Sequence, residues 1–133
     1  MPRIRTVKPE FFRHEQLQEL ERTHHGAYPM LVFEGLWTLA DKLGQFEWKP
    51  RQIHLDVLPY IPFEMEDTLI LLVSAGLIRQ YEVAGKGYGL IPTFQDHQHI
   101  AGKEKYLPSR CPSPSQEPVK LRLIPGEPMV NVR

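Results

Sequence analysis

Proline is the residue that most constrains this chain. It has no backbone N–H and a fixed φ, so it opens a helix readily, breaks one it interrupts, and cannot sit inside a central strand. The chain carries 13 prolines in 133 residues, about twice the usual share of roughly 5%. Pro2, Pro9, Pro29, Pro50, Pro59, Pro62 and Pro92 are spread through residues 1–107, whereas Pro108, Pro112, Pro114, Pro118, Pro125 and Pro128 crowd the end. The first set punctuates folded elements. The second marks a Ser/Pro-rich linker and tail, because the run SRCPSPSQEP over 109–118 has too few backbone donors for helix or sheet. The expectation is one folded domain over 1–107 and a Pro/Ser-rich linker and tail over 108–133.

Between the prolines the apolar spacing predicts elements. Pro9 opens a helix over 9–21, with Phe11, Phe12, Leu17 and Leu20 apolar. Pro29 opens the strongest helix, 29–43, where Phe33, Leu36, Trp37, Ala40 and Leu43 recur at helical spacing and Gly44 supplies a stop. Residues 45–48 alternate polar and aromatic, as in a short strand. Pro50 opens a helix over 50–58, and residues 59–62 are a turn. A third long helix covers 63–75 on a Met65, Leu69, Leu72, Val73 stripe, capped by Gly76. Residues 77–83 alternate as a strand, with Leu77, Arg79, Tyr81 and Val83 on one face. A tight Ala84-Gly85-Lys86-Gly87 connection leads to a return strand over 88–92. Helix, helix, strand, helix, helix, hairpin is the layout of a winged helix-turn-helix. The fold class expected is α+β, mainly α, with a two-stranded wing.

Lys plus Arg is 16 and Asp plus Glu is 16, so the formal charge is zero. A strongly basic coat protein and an acidic tail protein are both excluded. The single cysteine, Cys111, excludes a disulfide framework and a multi-cysteine zinc site, and fits a reducing, cytoplasmic compartment. Cys111 lies in the linker, so it is expected to be exposed and without catalytic chemistry. The longest apolar run, residues 69–73, is far short of the roughly 18 residues a membrane span needs. His24-His25 and His97-x-His99 lack metal-ligand spacing, and His97 is expected to form hydrogen bonds at the end of the hairpin. Gly85-Lys86-Gly87 is a hairpin turn rather than a phosphate loop. No nucleophile or paired-carboxylate pattern stands out. A non-enzymatic protein without cofactor or metal is expected.

Nucleic-acid modules of this layout place the second helix of the pair in the major groove and a hairpin tip on the backbone. Here the groove helix begins Phe63-Glu64-Met65-Glu66-Asp67, acidic residues that suit a helix N-terminus but repel phosphate. The cations stand elsewhere: Arg3, Arg5 and Lys8 near the N-terminus, Lys49 and Arg51 before the first helix of the pair, Lys86 at the hairpin tip, and Lys103, Lys105 and Arg110 beyond it. Arg3, Arg5, Lys8, Lys49, Arg51, Lys86, Lys103 and Lys105 are the candidate DNA contacts. Ile70 and Leu71 fall off the core stripe, so the helix is apolar almost all round and either docks a partner or is covered. Ile70 and Leu71 are the candidate protein interface, met by a second copy, by another protein, or by a tail strand over Val119, Leu121 and Leu123 that turns at Pro125-Gly126.

Several blocks together resemble a known family. They are RIRTVKPEFF over 3–12, GLWTLAD over 35–41, Leu58-Pro59-Tyr60, Ala75-Gly76-Leu77-Ile78, Tyr81-Glu82-Val83-x-Gly85-Lys86-x-Tyr88, and Ile91-Pro92-x-Phe94-x-x-His97-Gln98. The chain is similar over about residues 2–110 to the N-terminal domain of bacteriophage and prophage replication proteins, a group akin to replisome organisers and DnaD-type winged-helix domains. The resemblance implies a winged helix acting in phage DNA replication initiation. Its implied partners are origin DNA or a replisome or helicase-loading protein, with self-association in some relatives. It supplies no catalytic residues. Relatives tend to be polar where Ile70 and Leu71 stand, and often continue into a second domain past the Pro-rich linker. Two alternatives stay open: a protein-interaction or dimerisation module using the acidic third helix, and a transcriptional regulator.

Overall fold

The computed structural model describes residues 2–98, 100, 103–106 and 108–114. The chain order is α1 (Glu15–Thr23), α2 (Pro29–Leu39), β1 (Gln45–Glu47), α3 (Pro50–Asp56), α4 (Met65–Ser74), β2 (Arg79–Val83), β3 (Lys86–Leu90), α5 (Phe94–His97) and α6 (Lys103–Tyr106). The result is a mixed α+β fold, mainly helical, with a three-stranded antiparallel sheet in the order β1-β3-β2. The hairpin expected as two strands gains a third, because Phe46 pairs with Gly89 and Glu47 with Tyr88. No helix among the described residues is long and apolar enough to cross a membrane.

The prolines do what their chemistry allows: Pro29 and Pro50 each stand in the first turn of a helix, where a missing N–H costs nothing. The helix expected over 9–21 is broken in two. Pro9–Arg13 is a 3₁₀ turn, and His14 then adopts extended backbone and caps α1, its Nδ1 accepting from the Leu17 N–H at 3.2 Å. Histidine is not among the common caps, so the break carries no strong sequence signal. Glu21 of α1 accepts the Met30 N–H at 2.9 Å, satisfying an orphan donor at the start of α2.

α2 stops at Leu39 rather than running to residue 43. Asp41 diverts the chain: its Oδ1 accepts the N–H groups of Leu43 and Gln45, both at 3.0 Å, an Asx turn that competes with helix. Gly44 serves that turn, at φ +83°, and a Cβ there would stand 2.6 Å from Phe94 Cβ. α4 ends as its glycine predicts. Gly76 N–H donates to Val73 O at 2.9 Å and Leu77 N–H to Leu72 O at 3.0 Å, the two bonds of a Schellman cap.

Two apolar clusters hold the molecule. The larger joins the helices to one sheet face through Phe33, Leu36, Trp37, Phe46, Leu69, Leu72 and Phe94. The smaller lies on the opposite sheet face and consists of Tyr81, Val83, Tyr88 and Cys111, flanked by Leu90. Cys111 is therefore buried, at 9% exposure, where the sequence reading expected an exposed linker thiol. The segment 109–114 is no free linker either: it lies along the sheet. The expected tail strand at Val119, Leu121 and Leu123, its Pro125-Gly126 turn, His99 and the boundary residue Leu107 lie outside the described residues.

Candidate nucleic-acid interface

The basic residues singled out in the sequence separate into two groups with different surroundings. The first gathers at the C-terminus of α2, where the last carbonyls of a helix lack intrahelical partners. Arg5 Nε donates to Trp37 O at 3.0 Å and its NH2 to Ala40 O at 2.9 Å. Arg3 N–H donates to Thr38 O at 2.8 Å, and Arg110 NH2 to Leu39 O at 3.1 Å. Four successive carbonyls thus meet three arginines, and the cations also suit the negative end of the helix dipole. Glu104 of α6 closes the arrangement as a two-pronged partner of Arg5, at 2.8 and 2.9 Å, with Arg3 Nε 3.2 Å away. The hydrogen bond from Arg5 holds the Glu104 carboxyl below its usual range, helped by the charges of Arg5, Arg3 and Arg110.

This changes what the N-terminal cations do. The Arg5 side chain is 6% exposed and its guanidinium is fully committed to the fold, so Arg5 leaves the set of phosphate contacts. Arg3 is half committed in the same clamp. Lys8 lies exposed nearby, its Nζ donating to Asp96 O at 2.9 Å. Lys105 is exposed at the end of α6, with its Nζ 5.9 Å from the Tyr106 ring centroid. The side chain of Lys103 lies outside the described residues.

The second group surrounds the tip of the hairpin. Lys49 Nζ and Lys86 Nζ both reach the carboxylate of Glu47, at 3.4 and 4.0 Å, and more than half of each lysine side chain stays in solvent. Arg51, exposed, stands in the first turn of α3 just beyond Lys49. Trp48 N–H donates to Gly87 O at 3.0 Å, which ties Lys49 to the start of β3. The hairpin is closed by Ala84 and Gly85, at φ +53° and +82°, the two left-handed residues of a type I′ turn. That turn presents Lys86 as the first residue of β3.

Beside this group a cleft of about 340 Å³ is lined by Leu39, Phe46, Glu47, Lys49, Gln52, Ile53, Asp56, Arg110 and Cys111. Its far wall is the docked segment. Cys111 N–H donates to Asp41 Oδ2 at 3.1 Å, Tyr81 Oη to Pro112 O at 2.6 Å, and Gln45 Nε2 to Ser113 Oγ at 2.8 Å. Burial pushes the Cys111 thiol up to about 11, with the negative charges of Asp41 and Glu47 adding to it, and burial likewise raises the Tyr81 phenol.

α4 presents the acids anticipated for it. Glu64, Glu66 and Asp67 are exposed around its first turn. Ile70 and Leu71, the candidate interface pair, are half-buried rather than exposed, and Thr68 is wholly buried with its hydroxyl donating to Ala27 O at 2.8 Å. His97 does form the expected hydrogen bond near the end of the hairpin, with Thr93 Oγ1 at 3.1 Å, and its ring stacks on Trp37 at 5.0 Å. Among the described residues no group of three or more His, Cys, Asp or Glu could hold a metal ion.

Sequence reasoning passed over Arg79 and the Tyr81–Tyr88 pair as site residues. Their signal was present, since alternation already put Arg79, Tyr81 and Val83 on one face. No family model, curated protein or solved structure matches this chain.

Proposed function

We propose that this chain is a winged-helix module of the phage replication type that anchors nucleic acid by its phosphates. The anchoring cations are Lys49, Arg51 and Lys86 around the tip of the hairpin. The element order and the three-stranded antiparallel sheet support the winged-helix reading. The observation that carries the nucleic-acid reading is the convergence of Lys49 and Lys86 on one carboxylate, which brings two solvated ammonium groups together. Phosphate contacts of this kind position a nucleic acid without reading its sequence. The exposed acids of α4 make that helix a poor groove reader, so affinity rests on charge and falls steeply with salt. A replisome protein remains the natural second partner for a module of this type, and the acids of α4 offer it a surface.

Fluorescence anisotropy with labelled single-stranded and duplex DNA at low salt tests the reading. Binding is expected on the order of 1–100 µM. Changing both Lys49 and Lys86 to Gln should weaken binding and lower the salt slope by about 2. Absence of binding to either DNA at the top of that range would sink the proposal.

A further inference from the structure

The sheet face beneath residues 109–114 has the make-up of a single-strand binding surface. Tyr81 and Tyr88 stack with ring centroids 5.5 Å apart and planes at 24°. They sit opposite each other across β2 and β3. Side chains alternate along a strand, so Arg79 shares the face of Tyr81, and Lys86 that of Tyr88. Glu47 pairs with Tyr88 across β1 and β3, and Lys49 reaches that same Glu47. Two aromatic rings are thus bordered by cations on β2 (Arg79), on β3 (Lys86) and at the start of α3 (Lys49). Stacking rings beside a cationic track is how single strands are held without sequence preference. The exposed acids in the first turn of α4 argue against groove reading, so the single strand is the form this face fits.

What covers this face is an irregular strap. Residues 108–114 contain Pro108, Pro112 and Pro114, and 109–114 form neither helix nor strand. Among the described residues, the strap's bonds to the rest of the fold include Cys111 to Asp41, Pro112 to Tyr81, Ser113 to Gln45, and Arg110 to the end of α2. Tyr81 and Tyr88 are 7% exposed each and pack in one apolar cluster with Cys111 of the strap. The cleft between Arg110–Cys111 and α3 opens along one edge of the strap, and gives an incoming nucleotide a place to start.

Resting on the nucleic-acid reading above, we infer that the strap and a single-stranded nucleic acid compete for the Tyr81–Tyr88 face. The strap holds the site closed, and a strand that lifts it stacks its bases on the two tyrosines with its phosphates on Lys49, Arg79 and Lys86. The lone cysteine reports the exchange. Docked, Cys111 is buried and its thiol sits at about 11 against an ordinary 9.0. Release restores about 100-fold more thiolate near neutral pH, in addition to access.

The test follows the labelling rate of Cys111 by a chromogenic disulfide reagent in the full chain while a fluorescein-labelled oligo-dT is titrated, with anisotropy read in parallel. The expected result is labelling that accelerates and saturates over the same oligonucleotide range as the anisotropy. Tyr81→Phe keeps the ring but removes the bond to Pro112, so it should speed basal labelling and tighten oligo-dT binding, each by about fivefold. Tyr88→Leu should weaken oligo-dT binding by about tenfold, with thermal melting confirming a folded protein. Oligo-dT binding with labelling unchanged or slowed would overturn the strap inference and leave phosphate anchoring standing. Binding to duplex alone would do the same. Failure of both DNAs to bind would overturn both readings.

Discussion

The two basic regions of the molecule are built from the same kind of side chain and end in opposite roles. At the C-terminus of α2, Arg3, Arg5 and Arg110 find four helix carbonyls and the Glu104 carboxylate within hydrogen-bond reach. At the tip of the hairpin, Lys49 and Lys86 share a single exposed carboxylate. Exposure follows: 6% for the Arg5 side chain against 56% and 58% for the two lysines. The difference teaches that a cation's role depends on the acceptors folded around it. A guanidinium can fork between carbonyls and a carboxylate, whereas an ammonium on a flexible stem beside one acid keeps most of its hydration.

Substitution at Arg5 should break the first region most severely. Arg5→Ala strips partners from Trp37 O, Ala40 O and both oxygens of Glu104, and is expected to destabilise by about 3–5 kcal/mol. Urea unfolding should show the midpoint falling with the slope unchanged. Oligonucleotide affinity, measured well below that midpoint, should hold. A large loss of affinity with little loss of stability would reverse the roles assigned to the two regions.

Gly89→Ala attacks the frame under the second region. A Cβ at Gly89 would lie 2.2 Å from the ring of Phe46, so the ring must move and strand pairing suffers. The expected cost is about 1–3 kcal/mol, read by thermal or urea unfolding. Stability equal to the parent would show that β1 is only loosely attached.

Acid should lower stability in two steps, first through His97 and then through Glu104. Burial holds His97 below its ordinary 6.5, so the unfolded chain takes up that proton more readily. Its contribution is full above about 6.5 and is lost as pH falls through the folded value. Glu104 follows the same sign lower down: its contribution is full above about 4.5 and is lost as pH falls through its depressed folded value. Stability measured from pH 7 to 3 should decline in that order, and Glu104→Gln should remove the later part. On the alkaline side the sign reverses, since a raised Cys111 favours the folded state below 9.0 and loses that support as pH climbs toward about 11. Asp41, Glu47, Arg110 and Lys86 are the charges that set this thiol.

The smallest stability effect belongs to the hairpin lysines. Lys49→Gln with Lys86→Gln should change unfolding free energy by no more than about 0.5 kcal/mol, because exposed pairs contribute little, while nucleic-acid affinity drops. Equal losses of stability and affinity would mean that the tip of the hairpin is structural too.

Much of the element order was legible along the chain. Pro29 and Pro50 announced helix starts, Gly76 a helix end, and Ala84-Gly85 a hairpin. The break at His14 and the early stop of α2 were not, because each depends on one side chain, His14 or Asp41, winning backbone donors from a helix. Of the candidate site, Lys49, Arg51 and Lys86 were nominated by charge alone, and the same criterion nominated Arg5.

Proline and glycine mark the division between local and long-range control of this fold. The starts of α2 and α3, the end of α4 and the hairpin turn were set by the sequence alone, since proline and glycine act through local backbone geometry that needs no distant partner. Only the tertiary structure decided that residues 109–114, read as linker, lie on the sheet, that Cys111 is buried, and that Arg5 closes a helix. Those outcomes rest on acceptors and apolar faces tens of residues away, such as Asp41 for Cys111 and Glu104 for Arg5. Charge and composition along a chain do not say which of its distant groups will meet.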